Sequence, residues 1–423
     1  MGKLFLSMLG TNKYEEAYYI YEGKKYGPVH FVQVATVSMN CSHWKENDRI
    51  IVFTTNEAKV KNWEDNGNQP KGLKSFLEEL NIKPSIQNID IPNGESEDEI
   101  WQIFDAMYGA IKDKDEVVFD ITHSFRSIPM LAMVVLNYAK VVKDVSIEGI
   151  YYGAFEKLGN LNTVRAKPLD ERLVPIFNLT PFEELLDWSL GLDRFMKTGD
   201  ARAISNLAER TSRARLKKTA GEDHEARKTR QLANTLKVFS ETMATCRGRE
   251  IGQAAKNLKK AVDECLSLEN IKAPYIPLLK NLKDKLKGFA GDDIVVDGFQ
   301  AALWCYEHNL IQQAYTILRE TILSKVLRDL GFNPEDKSLR EKLSDALNNY
   351  GLRVVGKSNK EVEYCSEIDM LFEYLSYKKD LAVKYMDLAK YRNDIDHAGM
   401  GRNVARTDSI INNLSEFLRY FTK

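Results

Sequence analysis

The stretch Val117-Val118-Phe119-Asp120-Ile121-Thr122-His123-Ser124-Phe125-Arg126-Ser127-Ile128-Pro129 constrains the fold more than any other in the chain. It begins as an unbroken apolar run after the charged patch 112–116, the pattern of a strand buried on both faces. It ends in the apolar, helically spaced segment from Met130 to Val142. The polar turn between them, Thr122 to Ser127, offers Ser127 as a helix N-cap, with Pro129 in the first helical turn. A turn joining a buried parallel strand to a helix exposes unpaired backbone amides at a positive dipole end, and open α/β sheets bind phosphates in such crevices. Threonine, histidine, two serines and an arginine add side-chain donors for an anionic ligand. Ordinary helix capping would use several of the same residues, so the turn alone leaves both readings open.

The rest of the first half repeats this design. Lys3 to Leu9 reads as a buried strand ending in Gly10-Thr11-Asn12, and Arg49 to Thr55 as a second core strand ending in hydroxyl residues. Tyr14 to Tyr26, interrupted by Glu22-Gly23-Lys24, suggests a β-hairpin where a crossover helix is usual. Val32 to Trp44, Lys71 to Leu80 and a segment opening at Ser96 and reaching Ile111 show helical spacing, the last with an acidic first turn. Ser85 to Ile91 and Ile147 to Phe155 read as further strands. Strands alternating with helices predict a Rossmann-like α/β domain with a mostly parallel sheet. The polar strand exits Gly10–Asn12, Thr54–Thr55 and Thr122–Ser127, with Tyr152–Gly153 beside them, then converge on one carboxyl edge, where such folds bind ligands.

Pro168, Pro175 and Pro181 mark a domain boundary between Leu169 and Phe182, after which helical spacing dominates. The expected division is 1–170 for the α/β domain, 171–300 for linking helices and 301–423 for an all-α domain. The 423 residues carry 60 basic and 61 acidic side chains, so charge implies no global preference for nucleic acid. One stretch, Arg194 to Arg230, is locally basic through Arg202, Arg210, Arg213, Arg215, Lys217, Lys218, Arg227, Lys228 and Arg230. It reads either as a solvated helical face or as a groove steering RNA phosphates. Five scattered cysteines without a C-x-x-C pair argue against a zinc site and for reduced thiols. No apolar run reaches membrane-spanning length, and the start turns polar at Thr11 too soon for a signal peptide. A cytoplasmic protein that meets no membrane is expected.

A second constellation, Arg392-Asn393-Asp394-Ile395-Asp396-His397, precedes Ala398-Gly399. The plain reading is a helix end terminated by Gly399. The chemical reading is metal-free RNA cleavage: histidine moves a proton from a 2′-hydroxyl or to the leaving oxygen, and arginine holds the scissile phosphate. Residues five apart on an ideal helix are rotated by about 140°. A joint role for Arg392 and His397 therefore needs a distorted turn or a second copy across a symmetric dimer.

Together these stretches resemble one family. Asp120 to Pro129 is similar to the D-I-T-H-x-F-R-x-x-P signature of CRISPR-associated proteins that join an N-terminal CARF domain to a C-terminal HEPN domain. Phe5 to Thr11 resembles that family's opening strand and turn, and Trp304 to Ala314 a recurrent helix of its C-terminal half. Arg392-Asn393 with His397 resembles the R-N-x-x-x-H motif of HEPN ribonucleases.

The resemblance implies an ancillary endoribonuclease of type III CRISPR antiviral defence. A cyclic oligoadenylate activator, with cyclic tetra-adenylate favoured for a two-fold dimer, would bind across two CARF domains and switch on cutting of single-stranded RNA. Gly10, Thr11, Asn12, Thr54, Thr122, His123, Ser124, Phe125 and Arg126 would meet the activator. Arg392, Asn393 and His397 would form the catalytic set, with no metal or other cofactor required. A homodimer, or a higher assembly, is implied. His123 and Arg126 also admit a slow ring-nuclease activity toward the activator itself, although simple binding explains the same residues. Two alternatives come from other classes. One is a non-catalytic cyclic-nucleotide sensor whose helices dimerise or recruit a partner. The other, a dinucleotide-dependent enzyme, is disfavoured because Leu9 to Tyr14 lacks G-x-G-x-x-G.

Overall fold

The computed structural model describes residues 2–67, 70–123, 128–269, 273–357, 365–401 and 404–422. The chain divides into two compact units, Met1–Glu184 and Leu185–Lys423.

The first unit is built on one sheet of eight strands: β1 (Lys3–Leu9), β2 (Ala17–Tyr21), β3 (Lys24–Val29), β4 (Arg49–Thr54), β5 (Ser85–Asp90), β6 (Glu116–Asp120), β7 (Ser146–Gly153) and β8 (Leu173–Asn178). Their order is β3-β2-β8-β7-β6-β1-β4-β5. The run from β5 to β7 is parallel throughout, with Leu6 of β1 aligned on Ile51 of β4 and Phe119 of β6. Successive side chains of a strand point to opposite faces, and both faces here are apolar. Phe5, Ile50, Val52 and Val118 pack with α1 (Val32–Cys41) and, beyond the short α2 (Asn56–Ala58), with α3 (Leu73–Glu79). Leu4, Leu6, Phe53 and Phe119 pack with α4 (Glu97–Ala110) and α5 (Ile128–Lys143). Burial on both faces is why the strands read as continuous apolar runs. Ser96 caps α4 by accepting the amide of Glu99, as the acidic opening predicts. The expected cap Ser127 lies outside the described residues.

The hairpin forms as expected, its turn built on Glu22 and Gly23 with φ of 47° and 76°. What it pairs with differs from expectation. Leu173–Asn178 runs antiparallel to β7 and parallel to β2, so it carries the hairpin into the main sheet. The boundary consequently falls at 184/185 rather than at 170. Pro175 disguised this strand, yet its neighbours keep the ladder: Ala154 donates to the carbonyl of Pro175 at 3.0 Å. Phe155, expected at a strand end, opens a 3-10 turn, Phe155–Leu158, ahead of α6 (Leu161–Ala166).

The second unit is helical: α7 (Thr180–Thr198), whose first turn contains the division, α8 (Arg202–Lys218), α9 (His224–Ala244), α10 (Gly248–Leu266), α11 (Tyr275–Lys285), α12 (Ile294–Glu307), α13 (Ile311–Asp329), α14 (Lys337–Val354), α15 (Ser366–Ser376), α16 (Lys379–Asp396) and α17 (Thr407–Phe421). Trp304 of α12 is buried among Phe195, Phe239 and Phe289, with its ring stacked on His308 at 4.2 Å. Helices 185–300 share this core with the later ones, so no separate middle unit forms. Ile368 to Leu388, which periodicity reads as one helix, is two. The chain breaks at Tyr377-Lys378 without glycine or proline, and α15 and α16 both lie against α14. Among the described residues no helix is long and apolar enough to cross a membrane.

Phe119 is wholly buried in the central strand. Phe119→Ala is expected to destabilise the first unit by about 3–5 kcal/mol, read as a lowered urea midpoint.

Candidate functional site

Parallel strands end on the same side, so β1, β4, β6 and β7 deliver Gly10, Thr55, Ile121 and Ala154 to one edge. At its centre the Asp120 carboxylate is completely buried and held by three hydrogen bonds. Thr36 donates through Oγ1 at 2.7 Å, and Thr122 donates through its amide at 3.0 Å and its hydroxyl at 2.6 Å. Burial pushes the Asp120 carboxyl above its usual range, opposed by these donors. The Thr122 hydroxyl in turn accepts the amide of Gly153 at 2.8 Å, tying β6 to the end of β7.

Beside this knot the first turn is equally fixed. Gly10 donates its amide to the Tyr14 hydroxyl at 3.0 Å, and a Cβ at residue 10 would stand 2.9 Å from that oxygen. Any larger residue there would displace the end of the tyrosine side chain. Asn62, from the turn Lys59–Trp63, donates to the carbonyls of Gly10 and Asn12 at 2.8 and 2.9 Å. The Tyr14 ring packs on the His123 imidazole at 4.3 Å. Burial drives His123 down from its ordinary 6.5 to about 3, which leaves the ring neutral near pH 7. Its Nε2 is buried and has no hydrogen-bond partner among the described residues.

Of the residues expected to meet a ligand, Gly10, Thr11, Asn12, Thr122 and His123 therefore come together at the edge, with Asn12 exposed. Thr54 sits beneath it: the side chain is fully buried and its hydroxyl accepts from Asn88 at 2.8 Å. Ser124, Phe125 and Arg126 lie outside the described residues. Sequence reasoning missed Tyr14, Thr36 and Asn62. A threonine inside the apolar run Val32–Val37 was the available signal for Thr36. Nothing local marked the other two.

In the second unit, Arg392 and Asn393 occupy the last turn of α16, and His397 caps it. The helix is regular to Asp396. Ala398 and Gly399 then turn left-handed, with φ of 53° and 64°, and Gly399 donates to the carbonyl of Asp394 at 2.9 Å. This is the glycine-terminated ending expected from sequence. The intervening residues are committed: Asp394 accepts the amide of Ala405 at 3.0 Å, and Ile395 packs against the helical core. Asp396 lies 2.9 Å from Arg392 Nε as an ion pair, without the alignment of a hydrogen bond. Arg392 also donates to Asn393 Oδ1 at 3.2 Å. His397 is exposed, and its ring makes no hydrogen bond among the described residues. No distorted turn brings Arg392 and His397 onto one face.

Four of the nine basic residues of this stretch are held in close ion pairs. Arg202 pairs with Asp200, Arg213 with Glu209, Arg215 with Asp223 and Glu225, and Lys228 with Glu264, all within 2.8 Å. Such pairing is the pattern of a solvated helical face.

A buried polar knot thus organises one edge of the parallel sheet in the first unit, and the second unit is a bundle of helices. Known proteins resemble parts of both. Residues 4–156 match the CARF domain of the CRISPR system endoribonuclease Csx1, and residues 184–289 match the second domain of the CRISPR-associated protein MJ1674. The CRISPR-associated protein MJ1674 of Methanocaldococcus jannaschii is 28% identical over 239 residues, which are 56% of this chain and 33% of that protein. The chain thus spans about a third of that relative's length. Among solved structures, Enterococcus italicus Csm6 bound to cyclic hexa-2′-fluoro-hexa-dAMP superposes with a TM-score of 0.42 at 11% identity, covering 100% of this chain and 94% of that one. Residues 4–156 are thus similar to a CRISPR-associated CARF domain, and residues 184–289 to a further domain of a CRISPR-associated protein.

A histidine depressed by folding stabilises the fold above its ordinary pKa and loses that contribution as pH falls toward 3. The slope of stability against pH near 5 should become shallower by about one proton in His123→Gln, measured from urea midpoints across pH.

Proposed function

We propose that this chain is an endoribonuclease that needs no metal, is switched on by a cyclic oligoadenylate, and cuts single-stranded RNA in CRISPR antiviral defence. The observation that carries the proposal is the Arg392, Asn393 and His397 set at a solvent-open helix end, in a chain whose first unit is similar to a CARF domain. The family matched by residues 4–156 is described as an endoribonuclease, which supports the same reading.

The chemistry follows from these groups. The 2′-hydroxyl of the RNA attacks the adjacent phosphorus while the bond to the 5′-oxygen breaks. A histidine takes the first proton or supplies one to the leaving oxygen, and Arg392 offsets the charge that builds on the phosphoryl oxygens. Asn393 holds the guanidinium through its side-chain oxygen and passes its backbone carbonyl to the amide of His397 at 3.0 Å, so one residue positions both partners. Because α16 is regular, a two-fold dimer supplies the second copy of the site that a shared scissile bond requires.

Dimerisation has its own support in the first unit. Met130, Val134, Tyr138, Val141 and Val142 form an exposed apolar stripe along α5, flanked by Trp101 of α4, with Val141 85% exposed. A monomer rarely leaves such a patch open. In a homodimer each protomer contributes an identical half-site, which favours a two-fold activator such as cyclic tetra-adenylate over the edge formed by Gly10, Thr11, Asn12, Thr122 and His123. Ser124, Phe125 and Arg126, outside the described residues, are expected to meet it as well. His123 fits recognition better than proton transfer, since a ring titrating near 3 exchanges no proton at neutral pH. Binding therefore accounts for His123 without ring cleavage. We place the ribonuclease site in the helical unit Leu185–Lys423 and the site of action in the cytoplasm.

The decisive experiment adds cyclic tri-, tetra- and hexa-adenylate in turn to the protein with a fluorophore–quencher RNA and a metal chelator. Cleavage switched on by one ring and lost in His397→Ala, with activator affinity retained, is the expected result. Activity persisting in a clean His397→Ala preparation would overturn the catalytic assignment. A double substitution, Val134→Glu with Val141→Glu, is expected to shift the protein to monomer in light scattering and to abolish activated cleavage.

A further inference from the structure

A cleft of about 400 Å³ opens in the second unit between the α9–α10 turn and helices α12, α13 and α14. Its wall is mixed, with the larger share apolar and a polar corner where α13 meets α14. Arg340 donates to Ser324 Oγ at 2.8 Å, to the Pro334 carbonyl at 2.6 Å and to Glu320 Oε2 at 2.6 Å. Thr316 and Thr321 add hydroxyls on the same side. Arg247 stands at its rim, exposed, with no hydrogen-bond or ion-pair partner for its guanidinium among the described residues. That distinguishes it from Arg249 beside it, which pairs with Glu335.

The cleft adjoins the Arg392–His397 helix end. Two neighbouring residues of α13 make the connection: Gln312 donates to Asp396 Oδ1, and Gln313 to the carbonyl of Ala244, each at 3.4 Å. Thr316 lies one turn further along the same helix. Cys246, also in the cleft wall, feels the charges of Asp396, Arg247 and Arg392. A strand of RNA whose scissile phosphate sits on Arg392 continues through a neighbouring nucleotide, which needs a cation for its phosphate and a recess with both apolar and polar sides for its base and sugar. The cleft falls within the volume range of small-ligand pockets.

We propose that this cleft binds the ribonucleotide flanking the scissile phosphate, with Arg247 holding that nucleotide's phosphate and the Thr316–Glu320–Thr321 wall receiving its base and sugar. The inference rests on the nuclease reading above, and the test separates the two.

Binding is measured on the His397→Ala background, where RNA survives, by fluorescence anisotropy of a short labelled single-stranded RNA across salt concentrations. Arg247→Ala should raise Kd about tenfold, as expected for losing a charged hydrogen bond, and lower the salt slope by about one. Thr316→Trp, which fills the cleft while keeping the charge, should raise Kd and leave the salt slope as it was. In the cleaving protein, Arg247→Ala should raise KM with kcat within about twofold, the signature of lost uniform binding. Unchanged Kd and salt slope in both variants would overturn the cleft proposal, as would a loss confined to kcat. The nuclease reading is judged separately, by cleavage in the unmodified chain against His397→Ala. Arg247 is exposed, so a folding defect is not expected, and matching melting curves check this.

Discussion

The candidate ligand edge depends on one buried carboxylate. Asp120 ends the central strand with no access to solvent, a position that is costly for a charge unless every lone pair is met. Its three donors come from two elements, α1 through Thr36 and the following turn through Thr122. Because the Thr122 hydroxyl also receives the amide of Gly153, the same knot sets how β7 ends. Replacing the carboxylate would free a helix, a turn and a strand end together. The turn that leads into α5 therefore starts from a fixed point.

Much of this was legible in the sequence, for a physical reason. Strands buried on both faces must be apolar throughout, so Leu4 to Leu9 and Ile50 to Phe53 declared themselves. Helix ends carry their own chemistry, which is why Ser96 and Gly399 were readable as start and stop. What failed was non-local. Leu173–Asn178 is a strand only because β7 and the hairpin lie ready to pair with it, and Pro175 hid it further. The break at Tyr377-Lys378 likewise comes from packing on α14 rather than from any breaker residue. At the candidate site, Thr122 and His123 were visible as a cluster, while the role of Asp120 beneath them was not. Tyr14 and Asn62 were not, because their roles exist only once separate turns meet.

The two histidines of interest show how environment divides labour among identical side chains. His123 is packed against Tyr14 and kept neutral by burial, so it presents a fixed hydrogen-bonding pattern over the physiological pH range. His397 stands in water at the end of α16, where nothing among the described residues restrains its ring. One ring is fixed by packing, and the other is open to solvent.

The ion pair within the last turn of α16 adds a consequence. Arg392 does not wait for an anion with empty hands, because Asp396 already occupies its Nε side. Partly exposed pairs at this spacing contribute only about 0.2–0.5 kcal/mol, so the contact holds the guanidinium in one orientation without locking it there. An anion meeting Arg392 would find that side taken, and its net gain would be reduced by the pair it displaces.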